Sequence, residues 1–224
     1  MSFKFDKKKI IICFIAVFGM GFFLSFLLMC KLGNDPCTFM NKSVSEKIGM
    51  SFGNYQLIVN IVMLCIVLIF NRKLIGFGTL FNMVLIGYYA DFFCWVWKKI
   101  IPASVFTTPV SRWIIFIISL ICFIISVAVY INVEMGVSPY DALPLIITEK
   151  VKADRSPVSK AVLRILWDGS ALAVGVIAGK TPVIGVILMT LFLGPVISLV
   201  GKLLKKKAPT PYPIDQETNG AIRQ

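Results

Sequence analysis

Apolar residues fall in long blocks separated by short polar stretches. This is neither the alternation of a half-buried strand nor the stripe of a soluble amphipathic helix. Six blocks stand out, at residues 10–30, 55–70, 74–97, 113–133, 161–179 and 181–201. A helix rises about 1.5 Å per residue, so about 20 apolar residues cross the hydrocarbon core of a bilayer. Backbone polar groups find no water there, and each block is expected to be helical. The first, fourth and sixth blocks carry no charge, the third carries Asp91, and the fifth carries Arg164 and Asp168. The predicted fold is all-α, a polytopic membrane protein of about six transmembrane helices.

The blocks form two matched sets. Gly33 and Pro36 end one apolar stretch as Gly136 and Pro139 end another, 103 positions later. Gly78 and Gly87 match Gly185 and Gly194 at a spacing of 107, and four residues inserted between the landmarks reconcile the two spacings. Each set holds three long helices. An odd number makes the second set enter the membrane from the opposite side, giving two inverted three-helix repeats. The expected boundaries are a basic N-terminal tail at 1–9, a first repeat at 10–97, an extracytoplasmic linker at 98–112, a second repeat at 113–203 and a disordered cytoplasmic tail at 204–224. Each repeat also holds a short amphipathic segment. Cys37, Met40, Val44 and Ile48 recur at helical spacing in the first, and Tyr140, Leu143, Ile147 and Val151 in the second. Such a segment is interfacial or re-entrant. Inverted repeats with interrupted helices are a common plan of secondary transporters.

Charge gives the orientation. The net charge is +12, which by itself would suggest nucleic acid. Fifteen of the 23 basic residues, however, lie on one side if the helices alternate: Lys4 to Lys9, Arg72 and Lys73, Lys150 to Lys160, and Lys202 to Arg223. This positive-inside asymmetry puts both termini in the cytoplasm, with no role for nucleic acid. The Lys202–Lys207 cluster suits the anionic lipid of the cytoplasmic leaflet. The first block is too long for a signal peptide, and no small-x-small cleavage pattern follows it. Hydrophobic residues make up 58% of the chain, against roughly 45–50% in soluble proteins.

Candidate chemistry is sparse. There is no histidine, and the six cysteines form no C-x-x-C pair, so zinc sites and His-based catalysis lack ligands. No Walker, nucleophile-elbow or dinucleotide motif is present, and neither an enzyme nor a cofactor is expected. Four substrate-binding candidates are Ser138, Pro139, Tyr140 and Asp141. Ser138 can cap a helix, Pro139 suits its first turn and Asp141 sits where a capping box closes. The plain reading is a well-capped helix. The functional one is a half-helix N-terminus aimed at a solute. Asp35 and Pro36 are the counterparts in the first repeat. Arg164 and Asp168, four apart, share a helix face with Trp167 beside them. They form either a structural ion pair or part of a solute site. Asp91 and Asp168 are the candidates for proton or ion coupling, although Asp91 could simply sit in the interface. Asn60, Asn82 and Asn132 read as links between helices, and Trp95, Trp97, Trp113 and Tyr130 as interface aromatics.

The stretch Gly136-Val-Ser-Pro-Tyr-Asp-Ala142, with Gly76-Phe-Gly-Thr79 and the duplicated layout, resembles the bacterial YczE/YyaS/YitT-like membrane proteins. The resemblance covers roughly residues 10 to 203. The first copy, Gly33-Asn-Asp-Pro-Cys-Thr38, lacks the aromatic residue and the second Asp. The resemblance implies a multi-pass protein of the bacterial plasma membrane. Two functions are expected to compete. One is a secondary permease for an unidentified small solute. The other is a non-transporting accessory or assembly factor acting through a protein partner or a second copy.

Overall fold

The computed structural model describes residues 6–151 and 157–204, so the far N-terminus, part of the loop after residue 151 and the tail from residue 205 lie outside it. The described residues are helical, with no strand among them. Helix α1 (Lys7–Cys30) precedes a short α2 (Pro36–Lys47), then α3 (Phe52–Phe70), a single 3-10 turn at Arg72–Leu74, and α4 (Phe77–Ile100). A one-turn α5 (Ser104–Thr107) leads to α6 (Pro109–Asn132), a short α7 (Pro139–Lys150), α8 (Pro157–Ile177) and α9 (Ile184–Leu204).

Helices α1, α3, α4 and α6 are long and apolar enough to cross a membrane. Helices α8 and α9 have 21 residues each. Six long helices therefore occupy the six apolar blocks, with ends displaced by a few residues for local reasons. α6 starts at Pro109 instead of 113, because proline at the first helical position gives up only an N–H that would be unpaired anyway. α1 starts at Lys7, where the Asp6 carboxylate accepts from the Lys8 and Lys9 amides. The expected linker at 98–112 is mostly helical, since α4 ends inside it, α5 lies within it and α6 begins there.

The central packing is α1 laid along α6 on one side and α4 on the other, with α9 against α6. Val17, Leu24, Leu27, Phe116 and Phe123 are buried in it. An aromatic seam of Phe18, Phe22, Phe26, Phe93 and Trp97 closes α1 onto α4. Trp97 donates from Nε1 to the Ser25 hydroxyl oxygen at 2.8 Å, satisfying its polar edge inside that seam. The outer surfaces of the long helices stay apolar, with Ile15, Ile69, Ile114, Ile118, Leu166 and Phe192 all more than half exposed. Water would make so extensive an apolar surface prone to association, whereas lipid does not.

Two asparagines link helices as expected: Asn60 Nδ2 donates to the Met83 carbonyl at 3.5 Å and Asn132 Nδ2 to the Gly201 carbonyl at 3.2 Å. Tyr130 departs from expectation. It is no interface aromatic but a core residue, 2% exposed, because it faces α1 at the crossing with α6. Arg112, counted in the sequence only as a basic residue outside the membrane, closes the C-terminus of α1. Its Nε donates to the Cys30 carbonyl at 2.6 Å and its Nη2 to the Lys31 carbonyl at 3.1 Å. A cation at a helix C-terminus meets both the unpaired carbonyls and the negative end of the dipole.

The two loops that lead into the short helices have matching backbones. Lys31 and Glu134 are both left-handed, at φ 53° and 58°, and Gly33 and Gly136 follow each at positive φ. Each loop docks on the first turn of a distant long helix, Gly33 on Gly185 of α9 and Gly136 on the Gly76–Thr79 segment that opens α4. On the second loop the Gly78 amide donates to the Met135 carbonyl at 2.7 Å, the Val137 amide to the Leu74 carbonyl at 3.0 Å, and the Thr79 hydroxyl to the Val137 carbonyl at 2.8 Å. A β-carbon at Gly136 would stand 2.8 Å from the Gly76 α-carbon, at a φ of 106° that side chains rarely adopt. The loops set up an exchange: α2 then packs on α8, while α7 packs on α3.

Replacing Gly136 should therefore separate two backbones that touch. Gly136→Ala is expected to lower the melting temperature of the detergent-purified protein by several degrees, since overpacking costs about 1–3 kcal/mol. Gly169→Ala on α8, where a β-carbon meets nothing within 4 Å, should leave it unchanged or raise it. Equal melting temperatures for Gly136→Ala and wild type would contradict the loop docking.

Candidate functional site

Helix α7 opens with Ser138-Pro139-Tyr140-Asp141. Ser138 is the N-cap, its hydroxyl oxygen accepting from the Asp141 amide at 3.1 Å, and Pro139 occupies the first turn. The expected capping box forms only in part. The Asp141 carboxylate does not turn back to the Ser138 backbone. It accepts from the Ser138 hydroxyl at 2.6 Å on one oxygen and from Arg164 Nη1 at 2.7 Å on the other. Arg164 lies on α8 and pairs also with Asp168 one turn on, Nε to Oδ2 at 2.9 Å. The second oxygen of Asp168 accepts from the Tyr140 hydroxyl at 2.8 Å. Tyr140 thus ties α7 to α8, and its ring lies 5.7 Å from the Arg164 guanidinium and 5.5 Å from the Trp167 ring.

Burial grades through this network. The Asp168 side chain is 7% exposed, whereas Arg164 and Asp141 each leave about a third of theirs open, at 35% and 37%. A carboxylate so buried is tolerable because both its oxygens are satisfied by charged or hydroxyl donors.

Asp35 and Pro36 play the matching part on α2. Asp35 is the N-cap, accepting from the Thr38 amide at 2.9 Å, and Pro36 fills the first turn. The Asp35 carboxylate lies within electrostatic reach of both Asp141 and Asp168, and Cys37 two residues along lies within reach of Arg164 as well. Met40 of α2, Tyr140 of α7 and Ala171 of α8 pack into one buried cluster with Cys37 and Trp167 against it, so the N-terminal turns of α2 and α7 converge on one place, against α8. Their far ends diverge. The last turn of α2 meets the end of α8, through Lys47 Nζ to the Ile177 carbonyl at 3.3 Å and a Glu46–Lys180 ion pair at 2.8 Å. The last turn of α7 meets the end of α3, through Asn71 Nδ2 to Glu149 Oε2 at 3.3 Å and Lys150 over the Phe70 ring at 5.1 Å.

The structure brings Ser138, Pro139, Tyr140, Asp141, Asp35, Pro36, Arg164, Trp167 and Asp168 to one region. Asp91 is engaged elsewhere. Its Oδ2 accepts from the Gly53 amide at 2.7 Å, in the first turn of α3, where a carboxylate suits the helix dipole. Four buried polar atoms lack a hydrogen-bond partner among the described residues: Asn34 Oδ1, Asn41 Oδ1, Tyr130 Oη and Trp167 Nε1. Each belongs to this region. Asn34 precedes Asp35 in the chain, Asn41 Nδ2 rests on Cys37 Sγ at 3.5 Å, Tyr130 lies within electrostatic reach of Asp141, and Trp167 precedes Asp168.

Sequence reasoning missed Asn34, Asn41, Cys37 and Tyr130 as site residues, because neither a loop, a short polar helix nor an apolar block carries a signal of where one side chain points. For the far-end contacts the sequence holds one signal, a repeated tetrapeptide that does not name their partners. Ser45-Glu-Lys-Ile48 and Thr148-Glu-Lys-Val151 repeat at the same spacing of 103.

Against protein families, residues 7–202 match a family of unknown function, DUF6198, and the chain belongs to it. It is 29% identical over 140 residues to the uncharacterized membrane protein YczE of Bacillus subtilis, covering 61% of this chain and 62% of that one. It is 27% identical over 132 residues to the uncharacterized protein YyaS of the same organism, covering 58% and 63%. An uncharacterized protein of Haemophilus influenzae matches at 23% over 214 residues, 93% of this chain and 89% of its own. The match thus spans a little over three fifths of YczE and of YyaS. No solved structure matches. With its apolar helices and outer surfaces, the chain is an integral membrane protein of this YczE-like family.

The ion network predicts a specific pattern of stability. Asp168→Ala leaves Arg164 half-paired and the Tyr140 hydroxyl without its acceptor, and is expected to cost about 1–3 kcal/mol, less than a fully buried pair because Arg164 keeps Asp141 and is a third open. The double variant Arg164→Met/Asp168→Leu should recover only part of that loss, since it still takes Arg164 from the Asp141 carboxylate and Asp168 from the Tyr140 hydroxyl. Thermal unfolding in detergent reads both, and a double variant less stable than Asp168→Ala would contradict the account.

Proposed function

We infer that the protein is a non-enzymatic secondary permease for a small solute, built from two inverted three-helix repeats in the bacterial plasma membrane with both termini cytoplasmic. The observation that carries this is the meeting of two half-helix N-termini, α2 and α7, one from each half of the chain. Secondary transporters place solute sites where such discontinuous helices meet near the bilayer midplane. On this reading α2 and α7 are re-entrant. Each loop returns from the end of a long helix in extended form, and the short helix then runs back to the same face. Lys47 ends α2 at the outer face and Lys150 ends α7 at the inner one. The site lies between the repeats, with Asp168 at its floor and Arg164 and Asp141 at its mouth. Asp168, buried and held by Arg164 and Tyr140, is the stronger coupling residue, because Asp91 is committed to the first turn of α3.

One observation favours the accessory-factor reading. An apolar groove of about 540 Å³ runs between α1 and α6, lined by Ile12, Ile15, Phe18, Phe22, Ile125 and Val129 among others. A partner helix would fit it as well as lipid tails do.

Proteoliposomes holding the purified protein, assayed for charge movement against a library of metabolites, test the permease. At least one solute should produce a signal that Asp168→Asn abolishes. Folded protein that moves none of them, together with a stable partner recovered in detergent, would contradict the permease and support the accessory factor.

A further inference from the structure

The proposed site has a charge imbalance. Asp141 and Asp168 share one guanidinium, that of Arg164, and Asp35 adds a third carboxylate within electrostatic reach of both. The two helix N-termini supply roughly +0.5 each. That leaves a deficit of about one positive charge in a place partly removed from water, where uncompensated charge is costly. A monovalent cation would close it. An anion would add to the deficit and meet Asp141 at the mouth.

The unpartnered atoms narrow the ligand further and are independent of the charge. Asn41 is 1% exposed and Tyr130 2%, and a native interior seldom leaves such groups unpaired. The amide oxygens of Asn34 and Asn41 are acceptors without donors. A primary ammonium offers three N–H donors, whereas a quaternary ammonium offers none. Trp167 Nε1 is a donor without an acceptor, which calls for an oxygen on the same molecule. The Tyr140 and Trp167 rings, 5.5 Å apart, give the carbon skeleton an aromatic wall. A groove of about 220 Å³ between α7 and α8 is lined in part by Trp167.

We propose that the solute is a small organic monocation with a primary ammonium head and a hydrogen-bond acceptor, held between Asp35, Asn41, Asp141 and Trp167. This rests on the permease reading for what the site is for, but not for what it binds. The test is thermal unfolding of the full-length protein in detergent with ethanolamine, 1-aminopropane, tetramethylammonium, potassium chloride and sodium acetate at matched ionic strength. Ethanolamine should raise the melting temperature in a dose-dependent way, 1-aminopropane less, and the other three not at all. Asp35→Asn keeps a capping side chain and Asn41→Leu removes an unpaired acceptor, so both variants should fold, and each should weaken ethanolamine at least ten-fold. Equal stabilisation by potassium would mean an inorganic cation site. Equal stabilisation by tetramethylammonium would exclude the N–H contacts, and stabilisation by acetate would mean an anion site. No shift with either amine, or an unchanged affinity in both variants, also overturns the proposal. Movement of an uncharged or anionic solute in liposomes would keep the permease and overturn this inference. Ethanolamine binding without movement would do the reverse.

Discussion

Arg164 is a cation on the inward face of a helix whose outer face is apolar, and its need for partners organises much of the structure around it. An ion in such surroundings loses several kcal/mol of hydration unless it is matched by charge and hydrogen bonds. One partner, Asp168, comes from its own helix. The other, Asp141, comes from α7, and can arrive only if the chain leaves α6 through the left-handed turn at Glu134 and the glycine at 136. Tyr140 on α7 then closes the remaining oxygen of Asp168. The pairing of one guanidinium thereby fixes where α7 begins, which loop must precede it, and why Gly76 and Gly78 must present bare backbone to that loop.

The exchange of short helices adds a second lock. α2 rests on α8 and α7 on α3, so neither set of helices has its full packing without the other. The loops reinforce this, Gly33 touching α9 and Gly136 touching the start of α4. Such interlocking holds the N-termini of α2 and α7 together while their C-terminal turns are tied to the ends of α8 and α3 by separate polar contacts. In the proposed permease these two ties lie on opposite faces of the membrane. Opening one while the other holds would expose the site to one side at a time, the requirement of alternating access.

Much of this was legible in the sequence, because a bilayer imposes strong patterns. The six long helices follow from apolar length alone, and the start of each short helix from Gly-x-x-Pro. Arg164, Asp168 and Asp141 stood out because charge in an apolar block demands a reason. What could not be read was direction. Periodicity gives the face of α2 but not its neighbour, so Asn41 and Cys37 looked like ordinary packing residues. Tyr130, near the end of an apolar block, looked like an interface aromatic, and only the crossing of α1 with α6 buries it. Asp91 fits both expectations by composition. The 2.7 Å contact with the Gly53 amide is a property of how α3 enters beside α4, and no local pattern encodes it.

The central claim is that α2 and α7 start together inside the membrane and end on opposite faces. Lys47→Cys and Lys150→Cys, each made in a background with the six native cysteines replaced, can be labelled in intact cells with a membrane-impermeant maleimide. The account predicts that position 47 reacts from outside and position 150 only after the cells are opened. Reaction of both positions from the same side would contradict it.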